Sequence, residues 1–468
     1  MREVRIKDTL SGEPRTLESG REVGIYACGP TVYSRIHIGN ARPYVVFSLF
    51  ARFLREEGYQ VKFVVNVTDV NDKIYVAAEA AGEPSEEFAK RMTAAYFEDT
   101  DRLGLGRPDS EPLATETIAG IVDLIVELVE SGHAYESGGD VYFRVRSFDG
   151  YGKLSNRRPE EMDQGEEAGS ASLKQDRLDF ALWKAHKEGE DSAWDSPWGR
   201  GRPAWHIECS VMAEQELGAE FAIHGGGSDL VFPHHENEIA QSEAAGRPFA
   251  RVWMHNGMVE TDAEKMSKSD GNIFQLKQAL DTYGREAVVL YLISGHYRQP
   301  LAFGPEEMAQ SVARVERLRN FFREHAVGEG SGDGSSEQQR GGSVEPSPDP
   351  SSAAGRFESF CEALADDFNT PRALAQVFEL VGDSNRGEVS GGEAVPVLTE
   401  MLELIGLSSL TEPDQGAEAD SQAHELMRER EEARGAKDFA RADELRDQLA
   451  ALGWEVRDSA EGPKLVPR

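Results

Sequence analysis

The sequence VGIYAC at residues 23–28 is a short apolar run followed by Gly29-Pro30, and this pattern predicts a buried strand that ends in a turn. The next segment, RPYVVFSLFARFLREE at 42–57, carries apolar residues at helical spacing. The segment VKFVVNVT at 61–68 is rich in β-branched residues and predicts a second buried strand. Strand, helix and strand in this order predict a βαβ unit with a parallel sheet, whose ligands bind at the carboxyl ends of its strands.

The composition excludes several classes of protein. The chain has 468 residues with 84 acidic and 50 basic side chains, so its net charge is −34 and its pI is about 4.7. This balance ordinarily argues against a nucleic-acid partner. Three widely spaced cysteines cannot form a disulfide framework and fit a reducing compartment. The N-terminus has no apolar signal region, and no stretch is long and apolar enough to span a membrane, so we expect a cytoplasmic protein.

The segment TVYSRIHIGNAR at 31–42 follows the first predicted strand. His37 and Asn40 lie three residues apart where a helix should begin, so both side chains can meet near its N-terminus. Backbone N–H groups and the helix dipole make this position suitable for phosphate. Taken alone, the pattern fits an ordinary turn with a capped helix even better.

The segment KMSKSDGN at 265–272 contains two lysines, Lys265 and Lys268, among small residues and a glycine. Such a loop is cationic and mobile, which suits a triphosphate. The alternative is a solvated basic loop, which is less satisfactory in a chain this acidic.

Four potential metal ligands occur in three separate segments. His234 and Glu238 stand at i and i+4 on one helix face, while Cys209 and Cys28 supply thiols. Two thiolates, an imidazole and a carboxylate could form a tetrahedral zinc site, although the spacing is not that of a zinc finger and a lone cysteine is often a small buried hydrophobe. The neighbouring His235 and Glu236 point away from the 234/238 face, so we expect them behind the ligands or on the surface.

HGGGSD at 224–229 lies between an apolar strand and the helix that carries PHHENE. Three glycines permit close approach of backbone to a ligand. A flexible loop explains the same residues about equally well.

Together these motifs resemble the cysteinyl-tRNA synthetase family of class I aminoacyl-tRNA synthetases. They occur in order and span nearly the whole chain: CGPTVY (28–33), HIGN (37–40), NVTDVNDK (66–73), GRPAWHIECS (201–210), HGGGSDLVFPHHENEIAQSEA (224–244), KMSKSDGN (265–272) and SGHYRQPL (294–301).

The resemblance implies a role for each matching residue. It implies one zinc ion per chain at Cys28, Cys209, His234 and Glu238. It implies that catalytic contacts to ATP, bound with Mg²⁺, come from His37, Asn40, Lys265 and Lys268. Contacts to L-cysteine are implied for Thr31, Thr68, Trp205 and His224. The implied partner is tRNA(Cys), and the implied state is a monomer without an editing domain.

The resemblance also implies an α/β architecture in which a Rossmann-type parallel-sheet catalytic domain with an inserted connective domain precedes a helical bundle and a small C-terminal domain. Residues 327–355 are almost free of large apolar side chains, so they predict a disordered linker inside the bundle region. The predicted boundaries are 1–112 and 203–255 for the split catalytic domain, 113–202 for the insertion, 256–306 for the KMSKS-containing stem-contact region, 307–410 for the helical tRNA-binding domain and 422–468 for the anticodon-region domain.

Two alternatives remain open at this stage. A ligase that joins cysteine to an amino sugar in mycothiol synthesis has a similar catalytic domain but lacks the C-terminal tRNA-binding region. A non-catalytic paralogue that binds cysteine or RNA is supported only by Asn40, which stands where the HIGH motif has its second histidine. The net charge leads to a further hypothesis, a source organism with a salty cytoplasm, because salt would mute repulsion of tRNA.

Overall fold

The computed structural model describes residues 2–18, 20, 22–162, 172–261, 264–265, 274–326, 349–412, 415–435, 438–452, 454–459 and 462–467. The strands are β1 (Arg5–Lys7), β2 (Pro14–Thr16), β3 (Val23–Ala27), β4 (Val61–Val65), β5 (Ala134–Ser137), β6 (Asp140–Phe143), β7 (Phe180–Ala185), β8 (Gly201–Pro203), β9 (Glu220–Gly227), β10 (Phe249–Asn256), β11 (Val259–Thr261), β12 (Glu264–Lys265), β13 (Leu301–Ala302), β14 (Trp454–Ser459) and β15 (Gly462–Pro467). The helices are α1 (Ile38–Glu56), α2 (Asp72–Ala81), α3 (Ser85–Asp101), α4 (Ile118–Glu130), α5 (Trp205–Leu217), α6 (Glu236–Ala244), α7 (Leu276–Tyr283), α8 (Arg285–Leu292), α9 (Pro305–Ala326), α10 (Ala353–Ala365), α11 (Thr370–Asn385), α12 (Gly391–Leu404), α13 (Gln415–Gly435) and α14 (Phe439–Ala451).

A four-stranded parallel sheet in the order β10-β9-β3-β4 forms the core of the N-terminal half. The predicted βαβ unit is β3-α1-β4, and all five residues of β3 are buried. Burial on both faces is what a parallel sheet covered by helices requires, and it explains the continuous apolar runs in the sequence. The predicted α/β fold is therefore confirmed in this part of the chain.

Helix α4 and strands β5 to β8 form an inserted layer between β4 and α5. Helix α4 packs its apolar face beside an antiparallel sheet in the order β5-β6-β7-β8. Its core contains fully buried Phe143, Phe180 and Trp183. An acidic, glycine-rich stretch occupies residues 160–172, and its residues 163–171 lie outside the described part of the chain.

A small sheet in the order β12-β11-β13 follows β10, and helices α10 to α12 pack on one another further along the chain. Residues 327–348 of the predicted linker lie outside the described residues. The linker was predicted to extend to Gly355, but α10 already begins at Ala353. Its N-cap is Ser352, whose hydroxyl accepts the Gly355 N–H, and this bond starts the helix inside a segment that composition alone marks as polar.

The chain divides into two compact units, residues 1–315 with 340–407 and residues 316–339 with 408–468. In the second unit, α13 packs against α14, which leads into an antiparallel hairpin with Val456 opposite Leu465. Among the described residues, no helix is long and apolar enough to cross a membrane.

Candidate active site and metal centre

The candidate metal-ligating and substrate-binding residues lie at the carboxyl ends of the parallel strands. Cys28 directly follows β3, Thr68 follows β4, and the three glycines of HGGGSD end β9. Helices α5 and α6 bring further side chains to this edge. The position agrees with the general rule that parallel sheets bind ligands at this end.

Two thiols, an imidazole and a carboxylate converge beside Cys28. From Cys28 Sγ the distances are 3.8 Å to Cys209 Sγ, 3.6 Å to His234 Nε2 and 3.8 Å to Glu238 Oε1. The His234 Nε2 and Glu238 Oε1 atoms are 3.1 Å apart. The structure thus brings Cys28 close to each of the other three donors singled out in the sequence, and Cys209 joins the group through its contact with Cys28.

These separations fit a tetrahedral metal ion. Zinc bonds to sulfur, nitrogen and oxygen are about 2.0–2.3 Å long, so the edges of a tetrahedron of such ligands measure roughly 3.3–3.8 Å. The observed distances run from 3.1 to 3.8 Å. The mixed soft and borderline donor set also suits zinc better than magnesium or calcium. Residues and donor chemistry therefore fit the ion.

Two further histidines hold the candidate ligands in place. His206 Nδ1 is 2.9 Å from His234 Nδ1, which leaves His234 Nε2 directed at the thiols. His224 Nε2 is 2.7 Å from Glu238 Oε2, on the carboxylate oxygen that does not face Cys28. Such outer contacts fix ligand orientation in metal sites. His224 therefore lies behind the carboxylate and stacks on Trp253, with ring centroids 4.5 Å apart.

His235 and Glu236 are both fully buried, so the surface alternative for these two residues is wrong. His235 belongs to the same cluster: its nearest donor atom and those of Cys28, His234 and Glu238 all lie within 4.8 Å of one another. Glu236 instead accepts hydrogen bonds from the N–H groups of Gly152 and Ser155 in the inserted layer. Helical spacing predicted the direction of Glu236 correctly but could not show that the inserted layer covers it. For His235 the predicted direction is wrong, because its Nε2 lies 4.0 Å from Glu238 Oε1.

Without a bound cation, burial shifts the pKa values of the candidate ligands away from their ordinary values. Burial raises the pKa of the Cys28 thiol and the Glu238 carboxyl well above their ordinary values, and it lowers the pKa of His234. Each group is therefore held in its neutral form. A bound dication reverses this preference for thiols and carboxyls, because it stabilises their anions directly.

The expected cysteine-binding residues line the same edge. The Trp205 indole stacks on the His234 ring with centroids 4.1 Å apart. Thr31 and Thr68 are bridged in parallel, and the Val32 N–H donates to the Thr68 carbonyl at 3.1 Å. Buried Asn66 ties these segments together: its Oδ1 accepts the Gly29 N–H at 2.9 Å and its Nδ2 donates to Thr68 Oγ1 at 3.4 Å.

Glycine is required at two positions of this edge. A Cβ on Gly29 would lie 1.7 Å from the Asn66 carbonyl oxygen, and one on Gly225 would lie 2.1 Å from the Phe47 ring. Neither space can accommodate a methyl group. The loop after β3 and the end of β9 thus approach their neighbours as closely as backbone allows.

The HIGN segment forms a reciprocal cap at the start of α1. The Asn40 N–H donates to His37 Nδ1 at 3.3 Å, and the His37 N–H donates to Asn40 Oδ1 at 3.4 Å. Since the amide oxygen of Asn40 is used inside the cap, its NH₂ group is the outward-facing end. Since His37 Nδ1 accepts, its proton resides on Nε2. Both side chains thereby present N–H donors at a helix N-terminus.

The KMSKS segment is described only at its edges. Lys265 lies in β12, whose backbone pairs with β11 at Glu260, whereas Lys268 lies outside the described residues. The chain that follows the motif returns to HIGN: the Ile38 N–H donates to the Phe274 carbonyl and the Leu276 N–H to the Ile36 carbonyl, each at 3.0 Å. The residues that follow the motif therefore contact the start of α1.

Sequence reasoning missed Asn66, His206 and His255 as contributors. His255 Nε2 is 2.7 Å from His235 Nδ1, and its own Nδ1 is 2.8 Å from Thr9 Oγ1. His206 sits inside the quoted WHIECS motif, but nothing in linear spacing shows that its ring meets His234. Only the crossing of α5 with the segment before α6 reveals that contact.

Three family models match successive parts of the chain. A family model described as the class I (C) tRNA synthetase catalytic domain matches residues 15–313. A DALR domain model matches 359–406, and a cysteinyl-tRNA ligase anticodon binding domain model matches 417–462.

Relatives and solved structures extend these matches. The cysteine--tRNA ligase of Geobacter sulfurreducens is 45% identical, covering 98% of this chain and 98% of its own, and that of Chromohalobacter salexigens is 44% identical over 99% of each. The fold also matches the Mycobacterium tuberculosis methionyl-tRNA synthetase in complex with methionyl-adenylate, with a TM-score of 0.61 at 17% identity over 83% of this chain and 88% of that one. The chain belongs to the cysteine--tRNA ligase family of class I aminoacyl-tRNA synthetases.

Proposed function

We propose that this chain activates L-cysteine with ATP and transfers it to the 3′ end of tRNA(Cys), and that a zinc ion selects the substrate by its thiolate. The buried group around Cys28 carries the proposal, because Cys209, His234 and Glu238 each place a donor atom 3.6–3.8 Å from its sulfur and an ordinary core has no need of such a group. The full-length family match supports the overall reaction.

In the activation step, the α-carboxylate of cysteine attacks the α-phosphate of ATP. Pyrophosphate leaves, and cysteinyl-adenylate forms. The chain needs no covalent nucleophile for this step, since positioning and charge stabilisation suffice. His37 and Asn40 meet the phosphates with N–H donors at the start of α1, where the helix dipole also favours negative charge. Lys265 and Lys268 supply cationic contacts, and Mg²⁺ arrives with the nucleotide.

In the transfer step, a ribose hydroxyl of the terminal tRNA nucleotide attacks the adenylate carbonyl. AMP leaves, and cysteinyl-tRNA forms. The anticodon-binding family match at 417–462 supports recognition of tRNA by the second compact unit.

Cys28, Cys209, His234 and Glu238 would hold the ion, with His206 and His224 fixing two of these ligands. When bound, zinc would supply a coordination position that a thiolate fills far better than a serine hydroxyl. Trp205, stacked over His234, would cover this position from solvent, while Thr31 and Thr68 line the wall beside it. A site built around one required bond rejects analogues that lack it by several orders of magnitude, so no editing activity is needed.

We also propose that the protein acts as a monomer in a reducing cytoplasm. Cys28 and Cys209 are free thiols with sulfur atoms 3.8 Å apart, and they can serve as metal ligands only while reduced.

The test is cysteine-dependent ATP–pyrophosphate exchange followed by charging of purified tRNA, with zinc measured on the same sample. Exchange and charging with about one zinc per chain support the proposal. Exchange without charging would identify a ligase for another acceptor. Zinc without exchange would identify a non-catalytic protein.

A further inference from the structure

Arg42 is a fully buried cation in the second turn of α1, two residues after Asn40. Its Nη1 donates to the carbonyls of Gly257 at 2.7 Å, Gln299 at 2.7 Å and Met258 at 3.2 Å, and its Nη2 donates to the His296 carbonyl at 3.1 Å. All four acceptors are main-chain oxygens. Within the described part of the chain, no carboxylate forms an ion pair with this guanidinium.

A buried guanidinium without a counter-ion lowers the stability of the fold, so a purely structural role does not explain it. Burying a charge without a counter-ion is unfavourable, and the same burial lowers the pKa of Arg42 to about 10. An apolar side chain of similar volume often stabilises a core at least as well as a buried charged group. The specific feature of arginine here is its planar fork, which reaches several acceptors in fixed directions.

The four carbonyls belong to two separate loops. Gly257 and Met258 connect β10 to β11, and residues 296–299 connect α8 to β13. The loops are joined by hydrogen bonds from the Gly257 N–H to the Tyr297 carbonyl and from the Leu301 N–H to the Met258 carbonyl. A Cβ on Gly257 would lie 2.3 Å from the Gln299 carbonyl, so the loops already touch as closely as they can.

These loops form the base of the sheet β12-β11-β13, in which β12 contains Lys265 at the start of the KMSKS motif. The helix that carries Arg42 begins at the HIGN motif. Its first turn also bonds to the chain that returns from KMSKS, through Ile38 and Phe274. Arg42 therefore holds the loop from which β11 starts, while the first turn of the same helix bonds to Phe274, which follows the motif.

We propose that Arg42 is a positioning residue for the ATP reaction, which sets the placement of β11 and β12, the strands that lead to Lys265, relative to His37 and Asn40. The inference rests on the proposed function, since it assigns these two motifs to the nucleotide. The expected effect is limited to ATP and does not extend to cysteine. The contacts of Arg42 lie on the loops at 257–258 and 296–299, whereas the candidate metal ligands follow β3 or lie on or just before α5 and α6.

The test uses Arg42→Lys in the full-length protein, assayed by cysteine-dependent ATP–pyrophosphate exchange per mole of bound zinc. Lysine keeps the charge, but its ammonium group cannot donate hydrogen bonds to the carbonyls of both loops in the fixed directions of the guanidinium. We expect KM for ATP to rise about tenfold and kcat to fall by about 10²-fold, the usual cost of a misplacement near 1 Å. KM for cysteine should stay within about twofold of the parent value.

Arg52→Lys is the matched control. Arg52 lies on the same helix and likewise donates to carbonyls, those of Glu403 at 2.8 Å and Leu105 at 3.0 Å, but neither belongs to the loops at 257–258 and 296–299. Its replacement should leave both KM values unchanged. Equal effects of the two lysine variants, or a loss in Arg42→Lys that leaves KM for ATP unaltered, would overturn the inference.

Arg42→Met provides a second variant that removes the buried charge. It should show the same selective rise in KM for ATP. If both Arg42 variants bind zinc but fail to fold cooperatively, Arg42 is a structural residue and the inference is wrong. Absence of exchange in the parent protein would instead contradict the proposed function itself.

Discussion

The Nδ1 atoms of His206 and His234 lie 2.9 Å apart, so one proton is shared between two buried imidazoles. Because His234 Nε2 faces the Cys28 thiol, the proton belongs on His234 Nδ1 and His206 accepts it. Burial lowers the pKa of His206 to about 3, which keeps that ring neutral and able to accept. The outer histidine thus fixes the tautomer that a metal ligand needs.

Replacing His206 with alanine should weaken zinc binding by about 10- to 100-fold, since loss of an outer partner frees the ligand ring. Competition with a chromogenic chelator measures the change. His133→Ala is the control, because its ring contacts Ser147 in the inserted layer at 2.8 Å. Equal zinc affinity in His206→Ala and the parent protein would show that the contact does not orient the ligand.

We expect Asn40→Asp to impair ATP binding while the cap of α1 is kept. A carboxylate can still accept the His37 N–H, so Asn40→Asp should unfold at nearly the parent temperature. It removes the outward NH₂ donor and places negative charge near the phosphates, so KM for ATP should rise at least tenfold. Asn40→Ala should instead lose about 1 kcal/mol of stability with its cap. A parent-like KM for ATP in Asn40→Asp would contradict the role given to the amide.

Gly29→Ala should prevent assembly of the site. Its methyl group would overlap the Asn66 carbonyl, which belongs to the backbone and cannot turn aside. We expect loss of zinc binding and a lower melting temperature. Gly392→Ala in α12 meets nothing within 4 Å and should be neutral or slightly stabilising. Normal zinc content in Gly29→Ala would disprove the close approach.

Glu111 gives the fold a pH dependence of defined sign. Burial raises its pKa from 4.5 to about 7, so the folded state keeps a proton that the unfolded state has already lost. Between pH 4.5 and 7 this carboxyl therefore costs progressively more stability as pH rises. Glu111→Gln should melt higher than the parent at pH 7.5, with the gain vanishing near pH 4.5. Exposed Glu306→Gln should show no such trend, and a pH-independent gain for Glu111→Gln would contradict the assignment.

Salt should assist charging of tRNA. At −34 the chain repels a polyanion, and the Debye length shrinks from about 10 Å at 0.1 M to about 3 Å at 1 M salt. A rising rate of aminoacylation with added KCl would support the hypothesis of a salty cytoplasm. An optimum at low salt would count against it.

Much of this site could be predicted from sequence, because strand-ending residues and helical spacing are linear signals. Cys28 at the end of a buried strand and His234 with Glu238 at i and i+4 are examples. The partners of those residues could not be predicted from the sequence, because His206 contacts His234 only through the packing of separate segments. Burial of Glu236 depends in the same way on the inserted layer, whose contact with α6 leaves no trace in local spacing.

We infer that a zinc ion binds to Cys28, Cys209, His234 and Glu238 and takes the substrate thiolate. X-ray absorption at the zinc edge of the purified protein measures the number of sulfur neighbours directly. We expect two sulfur neighbours in the free protein and three after addition of L-cysteine, with no change on addition of L-serine. A sulfur count that cysteine leaves unchanged would contradict it.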